Sequence, residues 1–324
     1  MRFTRRQWLA GAAAAPFVPR HAAGQAWPTR AIRIVSAGQA GSLSDVFVRL
    51  IQERLQQRLG QTVYIENIIG SGGMNAASLV VRSGADGYTF FVSNSATNAI
   101  GVSLYRNLSF NPQTDLVPVA LMATMHNALT VKADSPFQTV QELAAFIRAN
   151  PDKAMYASAG AGTSSHLAGA LFAQKVAAPM IHVPYRGTGP TVIGLIRGEV
   201  LLSINNIPIF LPSVQDRSLR FLAVASRNRL PDLPDIPTFA EVGMPGLEVL
   251  SWYGLSAAKG TDTAIVERLS REVTDAVRDP VVATRFHEIG AEASPMNAAE
   301  YRAFSDAEVK LWAPIVAASG ATIN

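Results

Sequence analysis

The stretch Tyr156–Leu167 (YASAGAGTSSHL) holds the residues whose types and spacing point most directly to chemistry. We expect the end of a buried strand, a turn of small residues and the start of a helix. Gly160 and Gly162 allow positive φ or a close approach of the backbone to a ligand, and Thr163 or Ser164 can cap the helix. The unpaired N–H groups of a first helical turn, with the positive end of the helix dipole, form an anion site. The residue pattern alone leaves two alternatives, an anion-binding turn and a tight turn without a ligand.

The sequence lacks the patterns of the commoner enzyme and cofactor sites. The turn has no Lys, which a phosphate-binding P-loop requires, and Ser165 stands where a dinucleotide fingerprint has its third Gly. Neither an HExxH zinc motif nor a GxSxG nucleophile elbow is present. The chain has no Cys, and His126, His166, His182 and His287 show no metal-ligand spacing. We therefore expect no catalytic residue, no metal and no cofactor.

Residues 1–26 have the features of an export signal. Arg5 and Arg6 precede the apolar run Trp8–Val18, and Gly24–Ala26 supplies a cleavage site of small residues. The run is too short to span a bilayer. The segment TRRQWLAG resembles the twin-arginine pattern, although paired arginines also occur in general secretory signals. The sequence predicts an exported protein and leaves the export route open between these two.

The charge of the chain argues against a nucleic-acid partner. The 324 residues include 28 basic and 24 acidic ones, but four of the arginines belong to residues 1–26, which contain no acidic residue. Beyond them 24 basic residues balance 24 acidic ones, so no basic stripe remains. At 48% hydrophobic residues, the chain is long enough for two domains with a core each.

The first part of the chain predicts a parallel sheet. Ile32–Ser36, Val63–Ile65 and Tyr88–Ser93 read as strands with helices between them, the β-α-β-α-β order of an α/β domain. Asp45 is expected to be the N-cap of the first helix. Such sheets bind ligands beyond the carboxyl ends of their strands. Here those ends are followed by loops rich in Gly, Ser, Asn and Thr, namely Ala37–Ser44, Glu66–Asn75 and Asn94–Asn98.

A second α/β unit follows, entered and left by two crossings. Val117–Thr124 is predicted to cross into it and Ser251–Ala258 to return. Capping boxes are predicted at Thr139 with Glu142 and at Asn297 with Glu300. The strands expected in and before this unit are Leu129–Lys132, Met155–Ala157, Ile181–Val183, Val200–Ile204 and Phe221–Ala225. The predicted fold class is α/β, with two domains joined by two crossings around a cleft, which suits a binding protein as well as an enzyme.

From Trp27 to Gly320 the chain resembles the substrate-binding receptors of tripartite tricarboxylate transporters, the Bug family. The stretches that carry the resemblance are WPTRAIRIV, AGSLSD, VYIENIIGSGGMNAA, ADGYTFFVS, YASAGAGTSSHLAG, IHVPYRGTGP, LPDIPTFAEVGMPGLEVLSWYGLSA and KLWAPIVAASG. The resemblance implies a fold like that of type II periplasmic binding proteins, with residues 27–122 and 254–324 forming domain 1 and residues 123–253 forming domain 2. It also implies a monomeric periplasmic receptor that captures small organic carboxylates and delivers them to membrane permease subunits.

The resemblance assigns the ligand to backbone amides, hydroxyls and bridging water rather than to an arginine clamp. Its first binding loop corresponds to Gly38–Asp45, the second to Asn94–Thr97 and the third to Gly160–His166. The family usually has Pro-Phe at Ala37-Gly38, so this chain is expected to have more room or to lack an apolar wall. The predicted ligand-binding residues are Gly38, Gln39, Ala40, Gly41, Ser42, Ser44, Asp45, Asn94, Ser95, Thr97, Gly160, Gly162, Thr163, Ser164, Ser165, His166, Tyr185 and Asn205.

Asn205 departs from the family pattern, because many relatives have Asp there, where a carboxylate can meet a ligand ammonium. Asn also donates hydrogen bonds, so the hypothesis is a preference for carboxylates without an amino group; the alternative is a residue that caps the strand end.

His166 either donates to a carboxylate or packs between helices. Arg186 is either a counter-ion for the ligand or, as we favour, a residue at the surface or in a hinge pairing. Tyr185 and Trp252 either line the cleft or belong to the core.

The sequence favours a solute-binding receptor that closes around a mono-, di- or tricarboxylate. One rival is an exported sensor that presents the loaded state to a signalling partner. The other is a carboxylate-processing enzyme, for which the sequence offers no nucleophile and base.

Overall fold

The computed structural model describes residues 27–323. The predicted export signal, with both of its alternative routes, lies outside the described residues. Within residues 27–323, no helix is both long enough and apolar enough to cross a membrane. The chain is a mixed α/β protein, which confirms the predicted fold class.

Within residues 27–323, ten strands alternate for the most part with eleven α-helices. The strands are β1 (Ile32–Ser36), β2 (Val63–Asn67), β3 (Thr89–Asn94), β4 (Leu116–Lys132), β5 (Met155–Ser158), β6 (Ile181–Pro184), β7 (Leu202–Asn206), β8 (Leu219–Val224), β9 (Leu250–Ala258) and β10 (Glu292–Met296). The helices are α1 (Leu43–Leu59), α2 (Met74–Ser83), α3 (Gly101–Leu104), α4 (Pro112–Asp115), α5 (Val140–Ala149), α6 (Ser164–Val176), α7 (Thr188–Ile196), α8 (Ile207–Gln215), α9 (Thr263–Arg278), α10 (Pro280–Glu288) and α11 (Ala298–Ser319). A π-helical turn, Ala96–Ile100, precedes α3.

The strands form one hydrogen-bonded sheet in the order β2-β1-β3-β9-β4-β7-β5-β6, with β8 and β10 also paired to β4. Strands β1, β2 and β3 are parallel to one another, and so are β5, β6 and β7. Because β9 and β4 lie between these two groups and run antiparallel to their neighbours, the sheet contains two parallel α/β halves. The parallel β-α-β-α-β unit predicted for the first part of the chain is confirmed.

The two crossings are the long strands β4 and β9, which pair along most of their length. The first part of β4 pairs with β9 and β10, and the part from Asn127 to Lys132 pairs with β7 and β8. The runs Val117–Thr124 and Leu129–Lys132 are therefore one strand rather than two. His126 and Asn127 interrupt the apolar pattern because they lie where β4 passes from one half of the sheet to the other.

One local prediction is wrong, and two short elements were not predicted. Asp45 is not the N-cap of α1: that residue is Ser42, and Asp45 lies in the first turn, where it accepts a hydrogen bond from the backbone N–H of Gly41. Helix α10 and strand β10 were not predicted, since the segment is short and its strand is irregularly paired. The predicted capping boxes of α5 and α11 are confirmed.

The C-terminal helix α11 packs against the crossing strand β9 and forms hydrogen bonds with it. Glu308 accepts hydrogen bonds from the indole N–H groups of Trp252 (2.8 Å) and Trp312 (3.2 Å). Tyr301 packs edge-on against Trp252, with 5.5 Å between ring centroids, and its hydroxyl lies 2.9 Å from that of Ser93. Of the two alternatives for Trp252, lining the cleft or belonging to the core, the structure therefore shows the second.

Candidate functional site

A cavity of about 690 Å³ lies at the carboxyl ends of the parallel strands in both halves of the sheet. Its volume is in the range typical of small-molecule sites. Segments after β1, β2, β3, β5, β6 and β7 line it, together with the crossing strand β9. The lining residues are Ala37–Gln39, Gly41–Ser44, Ile69, Gly70, Gly72, Gly73, Asn94–Ala96, Tyr105, Ala159–Ala161, Thr163–Ser165, Pro184–Gly189, Asn205, Asn206, Ile209, Ser251, Tyr253 and Ile323. The rule that such sheets bind beyond their strand ends predicts this place.

Five helices begin at this cavity. Their N-cap residues, all of which line it, are Ser42 of α1, Gly73 of α2, Thr163 of α6, Gly187 of α7 and Asn206 of α8. Each helix start brings unpaired backbone N–H groups and the positive end of the helix dipole toward the cavity. The arrangement favours an anion.

Four of these five helix starts, those of α1, α2, α7 and α8, have no side-chain cap. By contrast, α5, α9, α10 and α11 begin away from the cavity and are each capped by the side chain of an Asn, Asp or Thr. A side-chain cap satisfies one of the otherwise unpaired N–H groups of the first turn. The helix starts around the cavity thus keep donors that a ligand can use.

The turn before α6 is held by its own hydroxyl groups. The side chain of Thr163 accepts a hydrogen bond from the N–H of His166 and donates to the carbonyl of Gly160 at 2.7 Å. The hydroxyl of Ser165 accepts from the N–H of Ala159 at 3.0 Å. Gly160 has φ +140°, a value that L side chains rarely adopt. The sequence prediction of a strand, a glycine turn and a Thr163 or Ser164 cap is confirmed, with Thr163 as the cap.

On the opposite side of the cavity, three hydroxyl groups form a hydrogen-bonded chain from the end of β1 to the start of α1, and those of Ser42 and Ser44 belong to lining residues. Ser36 donates to Ser44 at 2.9 Å, and the hydroxyls of Ser44 and Ser42 are 3.0 Å apart. A Cβ atom on Gly38 would lie only 2.5 Å from the Ser42 oxygen. Glycine at position 38 therefore leaves these hydroxyls room beside the cavity.

Asp45 does not line the cavity. It stabilises the loop before α1 by a hydrogen bond to the backbone of that loop. Its buried carboxylate accepts hydrogen bonds from Arg49 (2.8 Å), from the backbone of Gly41 (2.9 Å) and from Asn67 (3.2 Å). Burial alone would raise the pKa of Asp45, but these hydrogen bonds and the charge of Arg49 outweigh it and hold the pKa below its usual range. The carboxylate therefore stays charged, and its charge is met by Arg49.

A buried polar network joins the α6 start to both crossings. The hydroxyl of Ser251 in β9 lies 2.9 Å from that of Ser164 and 2.9 Å from Oδ1 of Asn206, and 3.2 Å from Oδ1 of Asn127 in β4. Beside it, Asn205 is 1% exposed and its Oδ1 accepts from the N–H of Asn206. The Nδ2 group of Asn205 has no hydrogen-bond partner among residues 27–323.

The lining carries almost no charge. Arg186 is the single formally charged side chain among the lining residues within 27–323, and none of them is acidic. Burial raises the pKa of Tyr253 to about 12, so this lining phenol is neutral near pH 7. In the same residue range, no group of three or more His, Asp or Glu side chains could hold a metal ion. Hydroxyl, amide and backbone N–H groups are thus the chemistry that the cavity offers, together with one guanidinium.

Of the eighteen residues predicted to bind the ligand, the structure brings thirteen together in this lining. They are Gly38, Gln39, Gly41, Ser42, Ser44, Asn94, Ser95, Gly160, Thr163, Ser164, Ser165, Tyr185 and Asn205. Ala40, Asp45, Thr97, Gly162 and His166 lie outside it. Arg186, for which we favoured a place at the surface or in a hinge pairing, is exposed and also lines the cavity.

Four of the five residues outside the lining, all except Ala40, support residues that line it or the turns that carry them. The hydroxyl of Thr97 donates to Asn98, and its backbone N–H donates to Asn94. Gly162 has φ +82° and packs so closely on Leu104 that a Cβ would lie 2.5 Å from it. His166 stacks on His182 with 4.0 Å between ring centroids, and its Nδ1 accepts from the N–H of Gly162. Packing, rather than donation into the cavity, is therefore the arrangement found for His166.

Sequence reasoning missed several lining residues. Thr188 and Gly189 lie in IHVPYRGTGP, and Gly72 and Gly73 lie in VYIENIIGSGGMNAA, so motifs already identified contained them. Ser251 and Tyr253 lie in the predicted return crossing, where alternation along a strand could have indicated them. Tyr105 and Ile323 reach the cavity through an isolated β-bridge between distant parts of the chain, for which no local signal exists.

Comparisons with known proteins agree with this architecture. Residues 47–321 match the model of the tripartite tricarboxylate transporter family receptor. Protein BugT of Bordetella pertussis is 32% identical over 299 residues, 92% of each chain. Two solved structures superpose closely: R. palustris Rpa4515 with adipate (TM-score 0.87, 33% identity, covering 92% of this chain and 100% of that one), and MatC (Rpa3494) from Rhodopseudomonas palustris with bound malate (TM-score 0.84, 30% identity, 89% and 99%).

The family model covers most of the chain, and the relatives are similar along nearly their whole length. The family match extends over both halves of the sheet and over most of the segments that line the cavity, although it begins after the lining loop 37–44. The chain therefore belongs to the receptors of the tripartite tricarboxylate transporter family, as its sequence motifs indicated.

Proposed function

We propose that this receptor binds a small organic carboxylate in the cavity between the two halves of the sheet. The observation that carries the proposal is the convergence of five helix N-termini, four without a side-chain cap, on a lining that contains no carboxylate. Backbone N–H groups and aligned dipoles stabilise an anion strongly where water is partly excluded. The hydroxyl of Ser42, to which Ser44 can donate, supplies a further donor.

The relatives support a carboxylate over other anions. The solved structures with TM-scores of 0.87 and 0.84 are described with adipate and with malate, both carboxylates. A phosphate group would also suit helix N-termini, but neither of those relatives is described with one. The ligand set we propose for this chain comprises the thirteen predicted residues that line the cavity, with Thr188, Gly189 and Ser251 added.

Binding is proposed to proceed by closure of two domains about the crossings β4 and β9. Residues 27–122 with 254–324 would form one domain and residues 123–253 the other, so each contributes one side of the cavity. The open form would load the carboxylate, and the closed form would dock on the membrane permease subunits of the transporter. Export through the N-terminal signal would place the mature, monomeric receptor in the periplasm.

A thermal-shift screen of the purified protein tests the ligand class. The panel contains mono-, di- and tricarboxylates, with amino acids, sugars and phosphate as controls. A ligand present at 100 times its dissociation constant stabilises the protein by about 2.7 kcal/mol, a readily measured shift. We expect a rise with one group of carboxylates. A rise with sugars or phosphate alone would refute the proposal.

A sensor role for the same cavity remains the alternative to uptake, because carboxylate binding and closure serve both. Growth on the identified carboxylate separates them. Deleting the gene should abolish growth at low concentrations of that carboxylate if the receptor serves uptake, and should leave growth intact while abolishing a transcriptional response if it serves sensing. Incubating the protein with the bound carboxylate and recovering it chemically changed would instead favour an enzyme.

A further inference from the structure

The backbone of Arg186 lies beside the turn before α6, in a position that hydrogen bonds fix. It lies in the segment between β6 and α7, and the residues on both sides of it are hydrogen-bonded to that turn. The N–H of Tyr185 donates to the carbonyl of Ser158 at 3.0 Å, and the N–H of Gly187 donates to the carbonyl of Ala159 at 2.9 Å. The backbone of Arg186 is therefore fixed relative to the α6 helix start, and the residue is exposed where it lines the cavity.

The guanidinium of Arg186 makes no ion pair and no hydrogen bond with any residue from 27 to 323. Glu199, an acidic residue that contacts Tyr185, already has other partners. Its carboxylate accepts a hydrogen bond from the hydroxyl of Tyr185 at 3.0 Å and lies 3.7 Å from the guanidinium of Arg197. Since the cavity lining contains no acidic residue, the charge of Arg186 has no counter-ion within the cavity.

Two anion-binding features thus lie side by side at one end of the cavity. Pro184 of β6 is the register partner of Ser158 of β5, and neighbouring strands are about 4.8 Å apart. The segment that follows β6 therefore places Arg186 roughly one strand spacing from the turn that follows β5. A ligand with a single carboxylate can occupy one of these features, whereas a ligand with two carboxylates can occupy both.

We propose that Arg186 binds the second carboxylate of the ligand and makes this receptor selective for dicarboxylates over monocarboxylates of the same carbon chain. The proposal rests on the proposed function, in which the first carboxylate lies at the α6 helix start. Guanidinium is suited to the role because it can donate two parallel hydrogen bonds to one carboxylate and stays charged at every physiological pH. The family resemblance implies binding without arginine. In this proposal an arginine binds only the second carboxylate, and the first still binds to backbone N–H groups.

Isothermal titration with matched acids tests the proposal. The probes are adipate against hexanoate and succinate against butyrate, each pair having the same carbon chain and differing in one carboxylate. The variants are Arg186→Gln, which removes the charge, and Arg186→Lys, which keeps it. Arg197→Gln is the matched control: it removes the same charge from the end of α7, and Arg197 does not line the cavity.

The wild-type protein should bind the better dicarboxylate at least about tenfold more tightly than its monocarboxylate partner, the size of one charge-assisted hydrogen bond. Arg186→Gln should remove that difference, with a much smaller loss of affinity for the monocarboxylate than for the dicarboxylate and no change in the unfolding temperature without ligand. Arg186→Lys should keep part of the difference, because it retains the charge and loses the paired hydrogen bonds. Arg197→Gln should keep all of it.

The possible failures are distinguishable. Equal losses for both acids of a pair in Arg186→Gln, or no loss for either, would overturn the role of Arg186 and leave the proposed function standing. Wild-type protein that binds both acids of each pair equally would do the same. Wild-type protein that binds no carboxylate at all would overturn the proposed function, and with it the role of Arg186.

Discussion

The hydroxyl of Ser164, at the start of α6, lies 2.9 Å from the hydroxyl of Ser251 in the crossing strand β9. Ser251 in turn contacts Asn206 at the start of α8 and Asn127 in the other crossing strand, β4. One hydroxyl group therefore connects a helix start at the proposed binding site to both strands that join the two halves. A ligand that changes the hydrogen bonds of Ser164 must also change this junction.

Ser251→Ala should weaken carboxylate binding by about tenfold, because it removes the hydroxyl that pairs with Ser164 and the one O–H donor that the buried amide oxygens of Asn127 and Asn206 share, at a cost of about 1–3 kcal/mol. Titration calorimetry measures the affinity and urea unfolding the stability. Ser256→Ala is the control in the same strand: that hydroxyl donates to Ser93 and does not line the cavity. It should lower stability with little change in affinity. The same loss of affinity in both variants would contradict a specific role for Ser251.

Asn205→Asp should shift the preference of the receptor toward ligands with an amino group. Asn205 is a buried lining residue with an unpaired Nδ2 donor, which suits an oxygen acceptor. An ionised Asp only accepts hydrogen bonds and would attract an ammonium group. The ratio of aspartate affinity to succinate affinity should therefore rise at least about tenfold, the size of one charged hydrogen bond. A ratio that does not rise in the folded variant would show that Asn205 does not select against amino groups.

The stacked pair of His166 and His182 should make stability depend on pH. Burial, and next the charge of His166, lower the pKa of His182 to about 4 from an ordinary value of 6.5. The unfolded chain therefore binds more protons than the folded protein between these values. The contribution of His182 to stability is complete above pH 6.5 and is lost as the pH falls from 6.5 toward 4.

Urea unfolding at several pH values checks this prediction. His182→Gln should show a shallower dependence of the unfolding free energy on pH than the wild type between pH 6.5 and 4. His287→Gln, which changes an exposed histidine, should keep the wild-type dependence. A wild-type slope in His182→Gln would show that the stacked pair does not titrate as its burial implies.

The parts of this fold that the sequence predicted are those with local causes. Thr139 with Glu142 and Asn297 with Glu300 form capping boxes because four consecutive positions contain both partners. The turn before α6 could be predicted in detail for the same reason: glycines, hydroxyl residues and a following apolar helix stand in one short stretch.

What the sequence did not predict depends on pairing between distant segments. Strand β4 was divided at His126 and Asn127, because a polar pair usually ends an apolar strand. Here those residues lie between two halves of the sheet, and Ser251, more than a hundred positions later, lies 3.2 Å from Asn127. Asp45 has the residue type of an N-cap, but Ser42 stands three positions earlier and the carboxylate reaches back to Gly41 instead. Arg186 could not be assigned to the cavity, because no local pattern shows which side chains will lack an acidic partner.

The central claim is that uncapped helix starts bind an anion in this cavity, and Ser42 allows its most direct test. Ser42 is the N-cap of α1, and both Asp and Asn are good N-caps, so Ser42→Asp and Ser42→Asn should fold equally well. The two side chains have nearly the same shape and differ in one negative charge. The measurement is the dissociation constant of the best carboxylate for both variants. We predict that Ser42→Asp binds at least about tenfold more weakly than Ser42→Asn, because the added charge repels the ligand at short range. Equal affinities in the two variants would contradict binding of the carboxylate at these helix starts.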